Sequence, residues 1–490
     1  MTDFFAAAST GSTPIEPTLP DGWELIVGLE VHVELDTATK LFCGCANQFG
    51  SEPNTNVCPT CLGLPGSLPV MNGRAVEMAM TLGRALGCDV NRSVMARKNY
   101  FYPDMPKDFQ TTQYDQPTNS DGQMVLNDGY RVGIERAHIE EDTGKSTHIG
   151  GDGRISDAVY SLVDYNRAGV PLVEIVSRPD LRTIDHAKAY VEELRGILLA
   201  TGVSDARMEE GSMRVDANVS VRPFGSGELR TRCEIKNVNS VRSLGRAIEF
   251  EAQRHIDLWT NGDEPNQETR HWDEERGRTR SGRSKEDADD YRYFQEPDLV
   301  PLEPSIEAIE AIDAAMPPLP SARRAALADA TGAEAATIGI LVERGQDALA
   351  LSAITDGADP EKVVTRLVND LAVDDWSKVT APAFAALIAM ESAGELSATQ
   401  AKQVLGDLAE NGGDPATHAA ERGFEAMDTG ELASLVDQLI ADHPDEWSRF
   451  TTGDDGDRKK MQGFFTGQIM KATQGQADGK AVAQLLAQKS

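Results

Sequence analysis

Residues 23–35, WELIVGLEVHVEL, constrain the fold of this chain more than any other stretch. Leu25, Val27, Leu29, Val31, Val33 and Leu35 alternate with Ile26, Gly28, Glu30, His32 and Glu34. Successive side chains of a strand point to opposite faces, so this pattern predicts a strand with one apolar face to bury. Such a strand needs paired neighbours and a layer packed against its apolar side. Its other face gathers Glu30, His32 and Glu34 at spacings of about 7 Å. A histidine between two carboxylates on one rigid strand can ligate a metal or poise a proton.

Other short segments repeat the theme. Residues 172–176 read as a strand that sets Glu174 between Val173 and Ile175. A carboxylate in an apolar strand is costly to bury unless it is paired or metal-bound. Arg214, Asp216 and Asn218 alternate along a further strand, and CEIKNVNS continues with Glu234, Lys236, Asn237 and Asn239. Residues 136–148, RAHIEEDTGKSTH, put Glu140, Glu141 and Asp142 beside Gly144, Lys145 and two hydroxyls. Hard carboxylate ligands next to a glycine and a lysine suit Mg²⁺ and phosphate chemistry. The tail GKST is not a P-loop, because Ile139 stands where that motif needs glycine.

Residues 97–115, RKNYFYPDMPKDFQTTQYD, read as a loop in which Lys98, Tyr100, Tyr102, Lys107 and Tyr114 can hold phosphates or stack on a base. Residues 269–294 carry Arg270, Arg276, Arg278, Arg280, Arg283 and Lys285, and also read as a loop, either solvated or touching phosphate or RNA. Amphipathic helices are expected over 72–87 and 184–201.

Cys43 and Cys45, then Cys58 and Cys61, fall within nineteen residues around a Gly/Pro/Asn loop. Paired cysteines of this kind suit tetrahedral Zn²⁺ in a structural knuckle, and are too few and too clustered for a secreted disulfide framework. Cys88 and Cys233 stand apart and read as small buried hydrophobes. No run of about 18 apolar residues exists, so no membrane span is expected, and residues 1–21 read as a disordered leader without a targeting pattern. A cytoplasmic protein is expected. The net charge of −32 spreads over every segment, which fits adaptation to high salt. At molar salt the Debye length falls to about 3 Å, so acidity does not exclude an RNA partner.

Near Pro301 the alternation stops and Ala/Leu/Glu helices begin. Pro317, Pro318 and Pro320 mark a helix start at Ser321, and NGGDP at 411–415 marks an inner boundary. The reading is α+β: a mainly antiparallel sheet domain with flanking helices and a zinc knuckle, then all-α domains.

The motifs GLEVHVEL, RKNYFYPDMPK, HIEEDTGKSTH, YNRAGVPLVEIVS, MEEGSMRVDANVSVRP, DDYRYFQEPD and GQIMKATQGQA, in this order from about Trp23 to Gln488, resemble the B subunits of the heterotrimeric aspartyl/glutamyl-tRNA(Asn/Gln) amidotransferases. The resemblance implies a cradle catalytic domain over 22–303, a helical domain over 304–412 and a tRNA-contacting helical tail over 413–490. It implies ATP-dependent phosphorylation of the Asp or Glu side chain misacylated on tRNA(Asn) or tRNA(Gln). Amidation by ammonia from the glutaminase A subunit follows, in a complex with A and C subunits. By resemblance, His32, Glu141 and Glu174, with Glu30 alongside, are the Mg²⁺-associated residues, and the four cysteines are the zinc element of some members. Lys98, Tyr102, Lys145, Arg214, Asp216 and Asn218 are the expected ATP contacts. Two rival readings are a zinc-stabilised tRNA-binding module without catalysis and the archaeal two-subunit enzyme specific for Glu-tRNA(Gln). The latter's larger subunit carries an inserted domain for which the run from DDYRYFQEPD into the helices leaves no room.

Overall fold

The strand expected over 23–35 forms as Trp23–Glu34 (β1) and stands at the centre of a nine-stranded sheet. The computed structural model describes residues 18–150, 158–284, 291–373, 375–424, 429–473 and 479–490. Most of the leader, residues 1–17, lies outside them, as do Lys285 and part of the polar loop after Gly150.

The remaining strands are β2 (Asp89–Val90), β3 (Ala96–Asn99), β4 (Phe109–Thr112), β5 (Asn119–Val125), β6 (Arg131–Glu141), β7 (Lys145–Ile149), β8 (Tyr160–Asp164), β9 (Pro171–Ser177), β10 (Met213–Pro223), β11 (Cys233–Val238), β12 (Glu268–Asp273), β13 (Arg278–Ser284) and β14 (Phe294–Gln295). The large sheet runs β13-β12-β11-β10-β1-β9-β6-β5-β2. Its neighbours pair antiparallel except β11 with β12. A three-stranded sheet, β14-β3-β4, and the hairpin β7-β8 complete the β structure. The α+β class with a mainly antiparallel sheet is therefore what forms.

The apolar face of the sheet is the floor of the main core. Leu25, Val27, Leu29, Val31 and Val33 of β1 are buried with Val173 and Ile175 of β9 and Ala137 and Ile139 of β6. Over them lie α1 (Gly73–Ala85), α2 (Ile184–Thr201) and α3 (Val241–Asn261), which supply Leu82, Leu194, Leu244 and Ile248 to the same cluster. The helices start where the sequence supplies caps: the side chains of Asn72, Thr183 and Ser240 accept from backbone N–H groups of the first turn. Gly202 and Gly262, at φ of 66° and 85°, end α2 and α3 in the left-handed conformation.

Two segments read as loops are strands. Residues 97–115 hold most of β3 and all of β4, and residues 269–294 hold most of β12, β13 and the start of β14. Ion pairs stand in for the apolar alternation a strand normally shows. Arg270 bonds Glu268 and Thr279 Oγ1, and Arg280 bonds Asp273. Such charged strands give no hydrophobic signal.

The chain divides into two compact units, the first ending at Ser321 and the second being Ala322–Ser490. The first also contains the helix Ile306–Ala315 (α4). Among its described residues the second is all-helical and holds two apolar clusters, one around Phe384, Leu387 and Val404 and one around Val436, Phe465 and Leu486. Among the described residues no helix is long and apolar enough to cross a membrane.

Helix α1 meets the sheet through Gly83. A Cβ there would lie 1.9 Å from Oδ1 and 2.9 Å from Cβ of Asn119, which is buried and donates to the carbonyls of Ala79 and Ala137. Gly83→Ala is therefore expected to destabilise the protein by about 1–3 kcal/mol by overpacking, despite alanine's better helix propensity. Chemical denaturation checks this; a neutral or stabilised variant would contradict the packing.

Candidate functional site

The opposite face of the sheet is polar, and strand register sets its rows. His32 on β1 pairs with Arg214 on β10 and Glu174 on β9, and Glu174 pairs with His138 on β6. One step along β1, Glu30 pairs with Asp216, while Asn218 pairs with Glu234 of β11. Two carboxylate clusters result.

In the first, His32 Nε2 lies 3.4 Å from Glu174 Oε2 and 3.6 Å from Glu140 Oε1, and His138 Nε2 lies 3.8 Å from Glu174 Oε2. Burial alone would lower the His32 pKa, but the hydrogen bond and charge of Glu174, with the charges of Glu140 and Asp216, push it up to about 9. Burial would raise Glu174, yet His138, His32 and Arg136 hold it well below the usual carboxylate range. Burial, aided by Glu174, pushes Glu140 up to about 7 against the opposing charge of His32. Burial lowers His138 to about 4, so its ring is neutral at pH 7.

In the second cluster, Glu30, Asp216 and Glu234 bring ligand atoms within 4.8 Å of one another. Lys236 Nζ lies 2.5 Å from Asp216 Oδ2 and 3.4 Å from Glu234 Oε1. Burial would lower its pKa, but Asp216, Glu234 and Glu30 raise it. Asn218 donates Nδ2 to Glu30 Oε1 at 3.1 Å, and its buried Oδ1 has no hydrogen-bond partner among the described residues.

These donors suit a hard cation. The three carboxylates form an all-oxygen set of the kind Mg²⁺ takes, with Asn218 bonded to one of them, whereas His32 makes the first cluster less typical for that ion.

The structure brings Glu140, rather than Glu141, to His32 and Glu174. On β6 the alternation places Arg136, His138 and Glu140 on the polar face. Glu141 instead accepts from Lys107 Nζ and from Thr111 N at 2.7 Å. Counting in steps of two from His138, the strand partner of Glu174, reaches Glu140 and not Glu141. Glu30 belongs to the second cluster rather than with His32. Arg214 pairs with Asp142 at 2.8 Å. Lys98 on β3 lies over the Tyr291 ring at 4.6 Å, and its charge reaches Glu140 and His138. Tyr102 stacks on Tyr100. Lys145 is exposed at the start of β7, on the separate two-stranded hairpin.

The four clustered cysteines converge, with their sulfurs within 4.8 Å of one another. Cys61 Sγ accepts from Cys58 N at 3.1 Å, and a fully buried lysine, Lys40, reaches it at 3.9 Å while donating to the carbonyls of Asn56 and Tyr165. The hydrogen bond from Cys43, the backbone N–H of Cys58 and the Lys40 ammonium, against the effect of burial, hold the Cys61 thiol down at about 5. The arrangement is compatible with structural zinc. Beside it a cavity of about 230 Å³ is lined by Phe42, Cys43, Cys61, Leu64, Lys107 and Glu141, among others.

Comparison with known proteins adds independent findings. Residues 25–310 match the family described as the GatB/GatE catalytic domain, and residues 354–489 match the GatB domain. The chain is 46% identical to the aspartyl/glutamyl-tRNA(Asn/Gln) amidotransferase B subunit of Frankia casuarinae, over 98% of each chain. It is 46% identical to the protein of that name from Mycobacterium sp. strain KMS, over 95% of each. Identity to the Streptomyces coelicolor protein of that name is 44%, over 95% of this chain and 96% of the other.

A further cluster, Cys233, Glu251 and His255, is fully buried, and its carboxylate is met by cations. Glu251 accepts from Arg254 Nε at 2.9 Å and Thr279 Oγ1 at 2.7 Å, with Arg270 Nε at 3.4 Å and His255 Nε2 at 3.2 Å. It ties α3 to the β12–β13 hairpin. Burial would raise its pKa, but His255 and Arg254 hold it far below the ordinary 4.5. A depressed folded-state value adds stability that is present above about pH 4.5 and lost as the pH falls below it. Glu251→Gln is expected to cost about 1.5–3 kcal/mol at neutral pH by removing the buried charged acceptor of the half-buried Arg254 and Arg270. It should also flatten the fall in Tm between about pH 5 and pH 3. Calorimetry across that range checks both, and an unchanged acid limb would overturn the assignment.

Proposed function

The chain belongs to the family of aspartyl/glutamyl-tRNA(Asn/Gln) amidotransferase B subunits, and we propose that it carries out the carboxylate-activating half of tRNA-dependent amidation. The family is one of ATP-dependent ligases. In this reading the side-chain carboxylate of Asp or Glu, esterified to tRNA(Asn) or tRNA(Gln), attacks the γ-phosphorus of ATP and releases ADP. Ammonia then adds to the acyl carbon and phosphate leaves, which forms the amide. A carboxylate is a poor acyl electrophile, and phosphorylation supplies the leaving group it lacks. The ammonia comes from a glutaminase A subunit, within a cytoplasmic complex that also holds a C subunit.

One observation carries the reading: two carboxylate clusters lie side by side on one rigid sheet face, across β6, β9, β1, β10 and β11. Phosphoryl transfer is catalysed mainly by positioning and by neutralising the charge of the phosphoryl oxygens, which Mg²⁺ supplies when bound. His32, Glu140 and Glu174 would hold one such ion, and Glu30, Asp216 and Glu234, with Asn218, a second. Glu141, fixed by Lys107 and Thr111, lies outside both groups and lines the cavity beside the cysteines. Lys98 and Tyr102 are proposed to meet the phosphates and base of ATP, with Arg214 and Lys145 as further cations. Residues 413–490 are proposed to contact the tRNA. High-salt adaptation would screen the acidic surface during that encounter.

The test compares amide formation on Asp-tRNA(Asn) and Glu-tRNA(Gln) at molar salt, with A and C subunits, ATP and Mg²⁺. Glu174→Ala and Glu140→Gln are each expected to lower the rate by about 10²–10³-fold while leaving tRNA binding intact. Glu141→Gln should do less. Full activity in Glu174→Ala would overturn the metal assignment. Tight tRNA binding without amidation of either substrate by the wild-type complex would favour a binding module without catalysis.

A further inference from the structure

Five of the chain's nine tyrosines, Tyr100, Tyr102, Tyr114, Tyr291 and Tyr293, gather at the ends of the small sheet β14-β3-β4. None of them packs into the main apolar core. Tyr114 and Tyr293 stack with ring centroids 4.3 Å apart, and Tyr291 meets Tyr293 edge-on at 6.0 Å. Tyr114 is 40% exposed. The stacked pair stands against the first carboxylate cluster. Thr112 Oγ1, at the end of β4, lies 3.5 Å from Glu140 Oε2, and burial together with the charges of Glu174 and Glu140 pushes the Tyr293 phenol up. Arg292, between two of the tyrosines, is exposed and takes a φ of 45°, a left-handed conformation that arginine rarely adopts. Asn99 holds the turn by donating Nδ2 to the carbonyls of Tyr291 at 2.9 Å and Arg292 at 2.7 Å. The Arg292 guanidinium lies over the Phe101 ring at 5.8 Å and has no carboxylate partner among the described residues.

Stacked rings at the rim of the site and an arginine held in a strained turn are the parts of a single-strand nucleotide platform, where a base lies on the rings and a phosphate meets the cation. The reaction proposed above identifies the occupant. Its reacting carboxylate is esterified to the 3′-terminal ribose of tRNA, and covalent geometry keeps that ribose within about 5–6 Å of it. The cluster that activates the carboxylate must therefore have the terminal nucleoside beside it. The base of ATP, by contrast, is held on the order of 10 Å from the γ-phosphorus, which leaves Tyr102 in the role given above. The 3′ end of tRNA is single-stranded, so its bases are free to stack on aromatic side chains. We propose that the Tyr114–Tyr293 pair stacks the terminal adenine of the aminoacyl-tRNA and that Arg292 meets the phosphate on its 5′ side. The inference rests on the amidation reading above and adds to it which residues place the esterified carboxylate at His32, Glu140 and Glu174.

The test measures binding of deacylated tRNA, intact or lacking its terminal adenosine, to the full-length chain assembled with A and C subunits, without ATP. Removing the adenosine is expected to raise the wild-type Kd about tenfold. Tyr114→Leu keeps the apolar volume but not the stacking face. It should raise Kd for intact tRNA by a similar factor and be indifferent to the removal, while Tyr114→Phe should bind as wild type. Tyr114→Met replaces Tyr114→Leu if leucine lowers the unfolding midpoint. Arg292→Gly keeps the left-handed backbone, which glycine adopts freely. It should lower the slope of log affinity against log salt by about 0.7, the share of one single-strand phosphate. In amidation assays Tyr114→Leu should raise KM for aminoacyl-tRNA and leave KM for ATP unchanged. Equal weakening of both tRNA forms by Tyr114→Leu would mean that the pair only supports the sheet, and would overturn the proposal. So would a raised KM for ATP with the cost of removing the adenosine undiminished, which would give the rings to the ATP base. An unchanged salt slope in Arg292→Gly would overturn the phosphate contact. The binding measurements need no turnover, so a complex that discriminates the terminal adenosine but does not amidate would count against the proposed activity and not against this platform.

Discussion

The pairing register of β1 with β9 and β10 is the constraint on which the site depends. One face of β1 is driven inward by Leu25, Val27, Leu29, Val31 and Val33, all buried under helices, each contributing about 1.5–3 kcal/mol. The strand period is two, so a slip of one residue would expose all five and drive Glu30, His32 and Glu34 into the core. The apolar face thus fixes the polar face. The row Arg214, His32, Glu174, His138 follows from where the valines and leucines of four strands must sit.

That row concentrates charge which would be intolerable if all of one sign. Glu174 and Glu140 lie within reach of one imidazole, and Glu30, Asp216 and Glu234 within reach of one ammonium. The raised pKa values of His32 and Lys236 express the same fact from the cation's side: the carboxylates hold protons on their neighbours because they need positive charge nearby. Cation binding here must compete with those protons. Rigidity is what keeps the donors poised. Each carboxylate sits on a strand paired on both sides, so the carboxylates cannot separate to relieve their repulsion, and a divalent ion meets donors already gathered.

Much of this was legible in the sequence, because it rests on periodicity and residue chemistry. The strand of β1, the isolated carboxylate at Glu174, the helix over 184–201 and the cysteine spacing are local signals, and each formed where expected. What escaped is what depends on partners. The choice between Glu140 and Glu141 turns on which residue of β6 faces the same way as His138, and only the pairing with Glu174 decides that. The split of the acidic residues into two clusters depends on a one-step offset along β1 that no single strand encodes. The β12–β13 hairpin was hidden because its arginines are satisfied by Glu251, Glu268 and Asp273, two of them on its own strands and one on α3. Cys233, read as an isolated hydrophobe, proves to accept from Arg254 at 3.2 Å. A charged strand held by ion pairs reads as a loop to any rule built on apolar alternation.

The cysteine knuckle answers a different physical problem. Residues 41–72 bury few large side chains of their own, with Leu41, Phe42 and Cys61 the apolar ones that are inside, and glycine, proline and asparagine dominate the rest. A loop with so little core cannot offset its conformational entropy by packing alone. Its ordering must come from hydrogen bonds and from the sulfur cluster. Lys40 shows how the balance is kept. A fully buried ammonium is unfavourable unless compensated, and here two carbonyls and the sulfur of Cys61 compensate it. Four thiolates around a divalent ion would carry excess negative charge, and the lysine beneath them supplies part of the balance. Cluster and lysine each make burial of the other tolerable. Together they order a loop that its own small core could not hold.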